Sequence, residues 1–177
     1  MAITDFYLKI NKHVELAEKS ISVLIITAIV IIVFTGTVAR YIFDSPIFGA
    51  DRLATYLMVW LGFIGFQITS SKLRHIEIEA VKSKMKPPIR YLMNLGSSII
   101  GSVILVIFFK LSLDFMFESK ALDDIDLVLG IPLWWIILIV PVSFGLSSIR
   151  FLFAAFLWWD VYKCKRKEED IVKKELL

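Results

Sequence analysis

The sequence predicts an all-α polytopic membrane protein with four transmembrane helices. Four segments, 20–39, 53–71, 91–109 and 127–149, contain no Asp, Glu, Lys, Arg or His, and each is 19–23 residues long. A helix needs about 20 such residues to cross ~30 Å of hydrocarbon. Because lipid offers the backbone no hydrogen-bond partner, each segment must satisfy its own amides as a helix. Apolar residues make up 58% of the chain and its mean hydropathy is +0.75, more than one small soluble core could bury.

Cationic side chains are distributed unevenly among the segments that flank these spans. The segments before the first span, between the second and third, and after the fourth carry 3, 6 and 7 Lys or Arg residues. The two opposite loops carry 2 each. The positive-inside rule therefore predicts that both termini and the central loop are cytoplasmic. Basic clusters beside a membrane favour contact with anionic lipid, so lipids are expected partners and nucleic acid is not.

The elements follow from the N-terminus as one membrane domain. Apolar residues recur at helical spacing over about 4–18, which predicts an amphipathic helix in the membrane interface, a frayed terminus being the alternative. The first span is too long for a signal-peptide core and is expected to be retained. Cys164 is expected to be an ordinary free thiol rather than a palmitoylated one. The predicted spans cover about 20–41, 53–72, 90–117 and 127–152, and a basic tail covers about 160–177.

Small and polar residues within the spans predict contacts between helices. Glycine and serine let two helices approach closely in lipid, and a lone amide there favours an interhelical hydrogen bond over a substrate contact. Trp60, near the start of the second span, is expected at the level of the lipid headgroups. The residues predicted to lie in helix contacts are Gly62, Gly65, Gln67, Asn94, Gly96 and Gly101.

The charge-free segments lack the groups that membrane chemistry requires. Catalysis or ion conduction within a bilayer normally uses ionisable residues inside the spans. His13 and His75 both lie outside the spans, which excludes a haem held by paired intramembrane histidines. The sequence contains no recognisable catalytic triad, metal-ligand cluster or phosphate-binding loop. We therefore expect no enzyme activity and no cofactor, and we interpret the chain as one subunit of a larger assembly.

Three stretches in a fixed order carry a resemblance to a known family. The first span ends at Arg-Tyr-Ile-Phe, residues 40–43, which precede Asp51. The second span contains Trp-Leu-Gly-Phe-Ile-Gly at 60–65 and is followed by His-Ile-Glu at 75–77. The fourth span opens with Gly-Ile-Pro-Leu-Trp at 130–134. Over about 35–152 the chain resembles the small membrane subunit of tripartite ATP-independent periplasmic (TRAP) transporters, the DctQ-like family. It departs from the family pattern in the first outer turn, where Phe-Gly-Ala-Asp at 48–51 replaces a Trp followed by a Glu.

The resemblance implies a division of labour among three proteins. A large multi-span membrane subunit would hold the substrate and sodium sites, so none is expected in this chain. A periplasmic substrate-binding protein would deliver a carboxylate such as a sialic acid or a dicarboxylate. The small subunit would act as a scaffold in the bacterial inner membrane and form part of the docking surface. The alternatives are a self-sufficient homo-oligomeric exporter or channel and a membrane-bound redox subunit.

Charged residues on the outer side receive roles on this basis. Arg40 lies there against the general charge trend and is expected to pair with Asp51 or with an acid of the large subunit, contact with lipid phosphates being the alternative. Asp123, Asp124 and Asp126 are hypothesised to face the binding protein, and the alternative is an ordinary solvated loop.

Two further groups of residues complete the candidates. His75 and Glu77, just beyond the second span, are expected to form a structural junction or to contact the large subunit, in preference to a proton relay. Pro132 and Trp134 lead into the fourth span, and Pro141 is placed in its middle.

Overall fold

The computed structural model describes residues 2–71 and 87–163, and these residues are almost entirely helical. In chain order the helices are α1 (Ala2–Ile42), α2 (Ala50–Ser71), α3 (Pro87–Ala121), α4 (Leu133–Ile137) and α5 (Ile139–Tyr162). The segments long and apolar enough to cross a membrane are Asn11–Ile42, Ala50–Ser71, Leu92–Ala121 and Leu133–Trp159. The described residues contain no β-strand. The prediction of an all-α protein with four spans is confirmed.

α1 is one unbroken helix of 41 residues, about 62 Å long at 1.5 Å per residue. The segment 4–18, expected to be an amphipathic helix in the membrane interface that leads into the first span, is continuous with that span in the structure. No proline lies between Ala2 and Ile42, and the one glycine, Gly36, is near the far end, so nothing in the sequence interrupts the helix. α1 is longer than the roughly 40–45 Å thickness of a whole bilayer, so it must be tilted or extend beyond the membrane.

The spans lie in a row and do not form a closed bundle. α1 packs on α2, α2 on α5 and α5 on α3, and the α3–α5 contact is the most extensive. Within the described ranges, α1 and α3 stand at the two ends of the row and share no extensive contact. One layer of helices has two broad faces, and large apolar side chains such as Leu24, Phe34 and Ile100 are exposed along the helices. Such faces suit contact with lipid or with a membrane partner.

Close packing of small residues against aromatic rings joins α3 to α5. A Cβ at Gly101 would collide with Cε1 of Phe151, and one at Gly145 would lie 3.0 Å from Cε2 of Phe109. Each glycine thus leaves room for a phenylalanine of the facing helix. The Ser102 hydroxyl also donates to the carbonyl of Ser148, at 3.3 Å.

Three other candidate glycines face open space. Apart from the chain neighbours and the nearby backbone of the same helix, no atom of the described residues lies within 4 Å of the position of a Cβ at Gly62, Gly65 or Gly96. Within the described residues, no other helix packs directly on these three positions, and the prediction that they lie in helix contacts stays a prediction. A helix that packs on them would come from outside the described residues.

The last span is divided between α4 and α5 at Leu138. Pro141 has no N–H to donate to the carbonyl of Ile137, four residues earlier, which explains why the helix breaks there. Pro141 was expected in the middle of the span. It is instead the third residue of α5. The span also begins later than predicted, because residues 127–132 form a turn that ends at the N-cap residue Pro132.

We predict that Gly101→Val destabilises the protein by about 1–3 kcal/mol, because the new side chain would collide with Phe151 and force α3 away from α5. Gly96→Val is the matched control, since it makes the same change in the same helix at an open position. Thermal unfolding of the purified protein in detergent would measure both. Equal midpoints for the two variants would contradict this account of the α3–α5 contact.

Candidate functional site

A buried ion pair joins the first long helix to the last. Nη2 of Arg150 lies 2.8 Å from Oε1 of Glu18, and the two residues are 1% and 6% exposed. Nη1 of the same guanidinium donates to the backbone carbonyl of Gln67 in α2. Arg150 therefore connects α5 to both α1 and α2 at one level of the protein. We call these three residues, together with Ser143, the polar junction.

The surroundings of Arg150 explain how a cation is accommodated there. Gln67 is four residues from the end of α2, and the carbonyl end of a helix carries a partial negative charge that stabilises a nearby cation. The Gln67 side chain donates in turn to Oγ of Ser143 in α5, at 2.7 Å. These contacts satisfy most of the polar groups that the helix packing removes from solvent.

Some buried polar atoms at the polar junction have no hydrogen-bond partner among the described residues. Among the described residues, Oε2 of Glu18, Nε of Arg150 and Oγ of the neighbouring Ser147 are buried without a hydrogen-bond partner. Burial of two charges costs several kcal/mol per ion, and incomplete pairing recovers only part of that cost. The junction therefore specifies which helices meet and at what height, and it adds little net stability.

Sequence reasoning missed this ion pair. Glu18 and Arg150 fall one or two residues outside the charge-free segments 20–39 and 127–149, so they were assigned to the flanks. The structure places both within the apolar helical segments, which corrects the expectation that the spans hold no ionisable group. The available signal was an arginine directly after a 23-residue apolar segment in a helix that continues for 12 more residues.

The opposite end of the molecule is organised by Asp126. We call residues 43–50 and 122–132, which connect the helices there, the loop end. Oδ1 of Asp126 accepts hydrogen bonds from the backbone N–H of Val128 at 2.9 Å and of Leu129 at 2.8 Å. Oδ2 accepts one from the Tyr56 hydroxyl. The Tyr56 hydrogen bond, followed by that of Leu129, lowers the pKa of Asp126 below its ordinary value of 3.8.

Aromatic and backbone contacts hold the rest of the loop end. Nε1 of Trp60 donates to the carbonyl of Ile136 at 3.1 Å, which attaches α2 to α4. The ammonium of Lys120 lies 5.0 Å from the centre of the Trp134 ring, a cation–π contact between α3 and α4. Pro132 takes part in an isolated antiparallel bridge with Ile125. The indole groups thus contact protein at this end of the helices.

The structure separates the charged candidates of the loop end into three kinds. Nη2 of Arg40 lies 2.8 Å from Oδ2 of Asp51, so Asp51 is the partner in contact, and both side chains are exposed. Asp123 is exposed and Asp124 half-buried. Asp126 is buried and bonded to Tyr56 of α2 and to its own turn, so its carboxylate is not presented on the outer surface of the described chain.

Several candidates do not come together in a site. Asn94 is buried in α3 beside the α3–α5 contact. His75, Glu77, Cys164 and most of the basic tail lie outside the described residues. In the ranges the structure does describe, no group of three His, Cys, Asp or Glu side chains could hold a metal ion.

These features define a small polytopic membrane protein whose buried polar groups join helices to one another. Residues 29–161 match the family described as tripartite ATP-independent periplasmic transporters, DctQ component. The match covers about three quarters of the chain, and the protein belongs to this family, whose members are transporter components.

Two relatives from Haemophilus influenzae show similar stretches. The sialic acid TRAP transporter permease protein SiaT of strain 86-028NP is 27% identical over 145 residues, which is 80% of this chain and 23% of SiaT. A putative TRAP transporter small permease protein of strain ATCC 51907 is 30% identical over 78 residues, 44% of this chain and 46% of that protein. The chain thus spans less than half the length of the relatives it matches.

We predict that Arg150→Met alone destabilises the protein by about 3–5 kcal/mol, because it leaves the Glu18 carboxylate buried without its partner. The double variant Glu18→Leu/Arg150→Met should recover most of this loss, since an apolar pair avoids the cost of burying charge. Chemical denaturation in mixed micelles would compare the two. If the double variant is no more stable than the single one, the ion pair is not what links the helices.

We predict that Tyr56→Phe raises the pKa of Asp126 toward 3.8, because the variant removes the largest cause of its depression. In the wild type, the ionised carboxylate stabilises the loop end fully above about pH 3.8, and this contribution is lost as the pH falls through the lower folded pKa. Hydrogen exchange of 122–132, measured against pH, should show protection lost at a higher pH in the variant. Thr55→Val is the control, because the Thr55 hydroxyl bonds only within α2, to Asp51. Identical pH profiles for wild type and Tyr56→Phe would contradict the assignment.

Proposed function

We propose that this chain is the small permease subunit of a TRAP transporter that imports organic acids such as sialic acids or dicarboxylates. The observation that carries the proposal is the family match over 29–161, which includes the last three spans completely and residues 29–42 of the first. The names of both relatives agree with it, one as a sialic acid permease and one as a small permease protein. Coupling to sodium, and the substrate site itself, belong to a partner on this proposal.

The polar junction supports a scaffold role. A transport pathway requires polar groups that face a cavity or another subunit, where an ion or substrate can reach them. Glu18, Gln67 and Arg150 are instead buried against one another between helices of this chain. The buried polar groups of the spans thus serve to hold helices together, which suits a fixed scaffold better than a moving transport domain.

The single layer of helices supports a large membrane partner. Its faces expose apolar side chains along most of their length, and the open glycines Gly62 and Gly65 offer a place for a helix from outside the chain. SiaT is more than four times as long as the stretch it shares with this protein. We infer that a large membrane partner covers one face of the layer.

The charge distribution supports an orientation. With Arg150 assigned to the fourth span, fifteen of the twenty Lys and Arg residues lie on the side of the two termini. By the positive-inside rule this side is cytoplasmic, in a bacterial inner membrane. The loop end then faces the periplasm, where a soluble substrate-binding protein could reach it.

Co-purification and transport together test the proposal. Expressed with the large membrane protein of its own system, the tagged chain should retain that protein in a fixed ratio after detergent extraction. Proteoliposomes of the complex should take up the organic acid only with the binding protein outside and an inward sodium gradient. The chain alone in proteoliposomes is the control and should transport nothing. A stable homo-oligomer that transports by itself would overturn the proposal in favour of an exporter or channel.

A further inference from the structure

The loop end presents one apolar side chain entirely to its surroundings. Leu127 is 98% exposed, the highest value among the large apolar residues of the described chain. A single exposed leucine on a mobile loop needs no explanation. Leu127 is different because the turn that carries it is held on both sides.

Asp126 fixes the turn from the N-terminal side and Gly130 closes it. The Asp126 carboxylate accepts the hydrogen bonds of Val128 and Leu129, and the Gly130 N–H donates to the Asp126 carbonyl at 2.8 Å. Gly130 adopts φ +66°, a conformation that suits glycine and ends such a turn.

Leu129, two residues after Leu127 along the turn, faces the other way. A Cβ at Gly49 would lie 2.6 Å from Cδ2 of Leu129, so the Leu129 side chain packs against the first loop. Leu129 therefore ties the turn to the body of the protein while Leu127 points away from it. Because the backbone around Leu127 is already held in place, the loop loses little conformational entropy when a partner buries this side chain.

The charge around Leu127 favours a protein partner over the membrane surface. The loop end and the adjoining helix ends carry more acids than bases, and Asp126 binds its own turn while Lys120 is engaged by Trp134. Anionic lipid headgroups would be repelled there, whereas a basic protein surface would be attracted. The acids are Asp44, Asp51, Asp114, Glu118, Asp123, Asp124 and Asp126; the bases are Arg40, Arg52 and Lys120.

We propose that Leu127 is an apolar anchor that enters a small apolar socket on a soluble partner, and that the socket is bordered by Lys or Arg residues facing Asp123 and Asp124. The inference rests on the proposed function, which makes this partner the periplasmic binding protein. On this proposal the centre of the docking surface is Leu127, and the acids Asp123 and Asp124 lie at its border. The acids then increase the association rate, and the leucine limits dissociation.

Transport by the reconstituted complex tests the anchor. The complex of large and small subunits is placed in proteoliposomes, and purified binding protein is titrated outside. Leu127→Ser should raise the binding-protein concentration for half-maximal uptake about tenfold and leave the maximal rate unchanged, a typical loss for a truncated contact residue. Leu122→Ser is the matched control, because Leu122 is also exposed, at 66%, but precedes the Asp126 turn. Leu127→Met should behave as the wild type does.

The outcomes separate the anchor from the function on which it rests. If uptake by the wild-type complex does not depend on the binding protein, the proposed function is wrong, and the proposal that Leu127 is an anchor is wrong with it. With an active wild type, an unchanged half-maximal concentration in Leu127→Ser overturns the anchor alone. Loss of the large subunit from purified Leu127→Ser complex also overturns it, because the leucine would then contact the membrane partner. An equal shift in Leu122→Ser would show a general surface effect and overturn it too.

Discussion

The ion pair between Arg150 and Glu18 is the contact on which the arrangement of the helices depends. The helices lie in the order α1, α2, α5, α3, and neighbours in this row are held by side-chain packing along their length. α1 meets α5, two places away, through the guanidinium of Arg150, which also holds the end of α2. In lipid, apolar packing alone does not fix the height of one helix against another, because lipid tails are as apolar as the side chains. A buried charge fixes it, since a shift of one turn would leave the charge unpaired.

The two ends of the protein use polar groups for different purposes. At the polar junction, charges are paired inside so that helices meet at one level. At the loop end, both carboxylate oxygens of Asp126 accept hydrogen bonds, from its own turn and from Tyr56. Asp123 is exposed on the surface. The scaffold and the surface it presents are therefore set by separate residues. Substitutions of the outer acids can therefore change the exposed surface without disturbing the way the helices pack.

The sequence predicted the class of fold because the bilayer imposes it. Charge-free segments of about 20 residues permit only helices, so the number of spans followed from composition. Gly101 was also predicted as a packing residue, and it lies against Phe151. The polar junction could not be predicted, because Glu18 and Arg150 are 132 residues apart and each alone resembles an ordinary flanking charge. For Gly62 and Gly65 the spacing was visible in the sequence, but not the absence of a neighbouring helix within the described chain.

The sequence separation of the ion pair has a consequence for how the protein is made. Chains are synthesised at about 5–20 residues per second, so Arg150 emerges roughly 7–26 s after Glu18. During that interval α1 and α2 are already made, and the Glu18 carboxylate must stay solvated near the membrane surface. Only insertion of the final span supplies its counter-charge. The contact between α1 and α5 is therefore completed only after the last span is made.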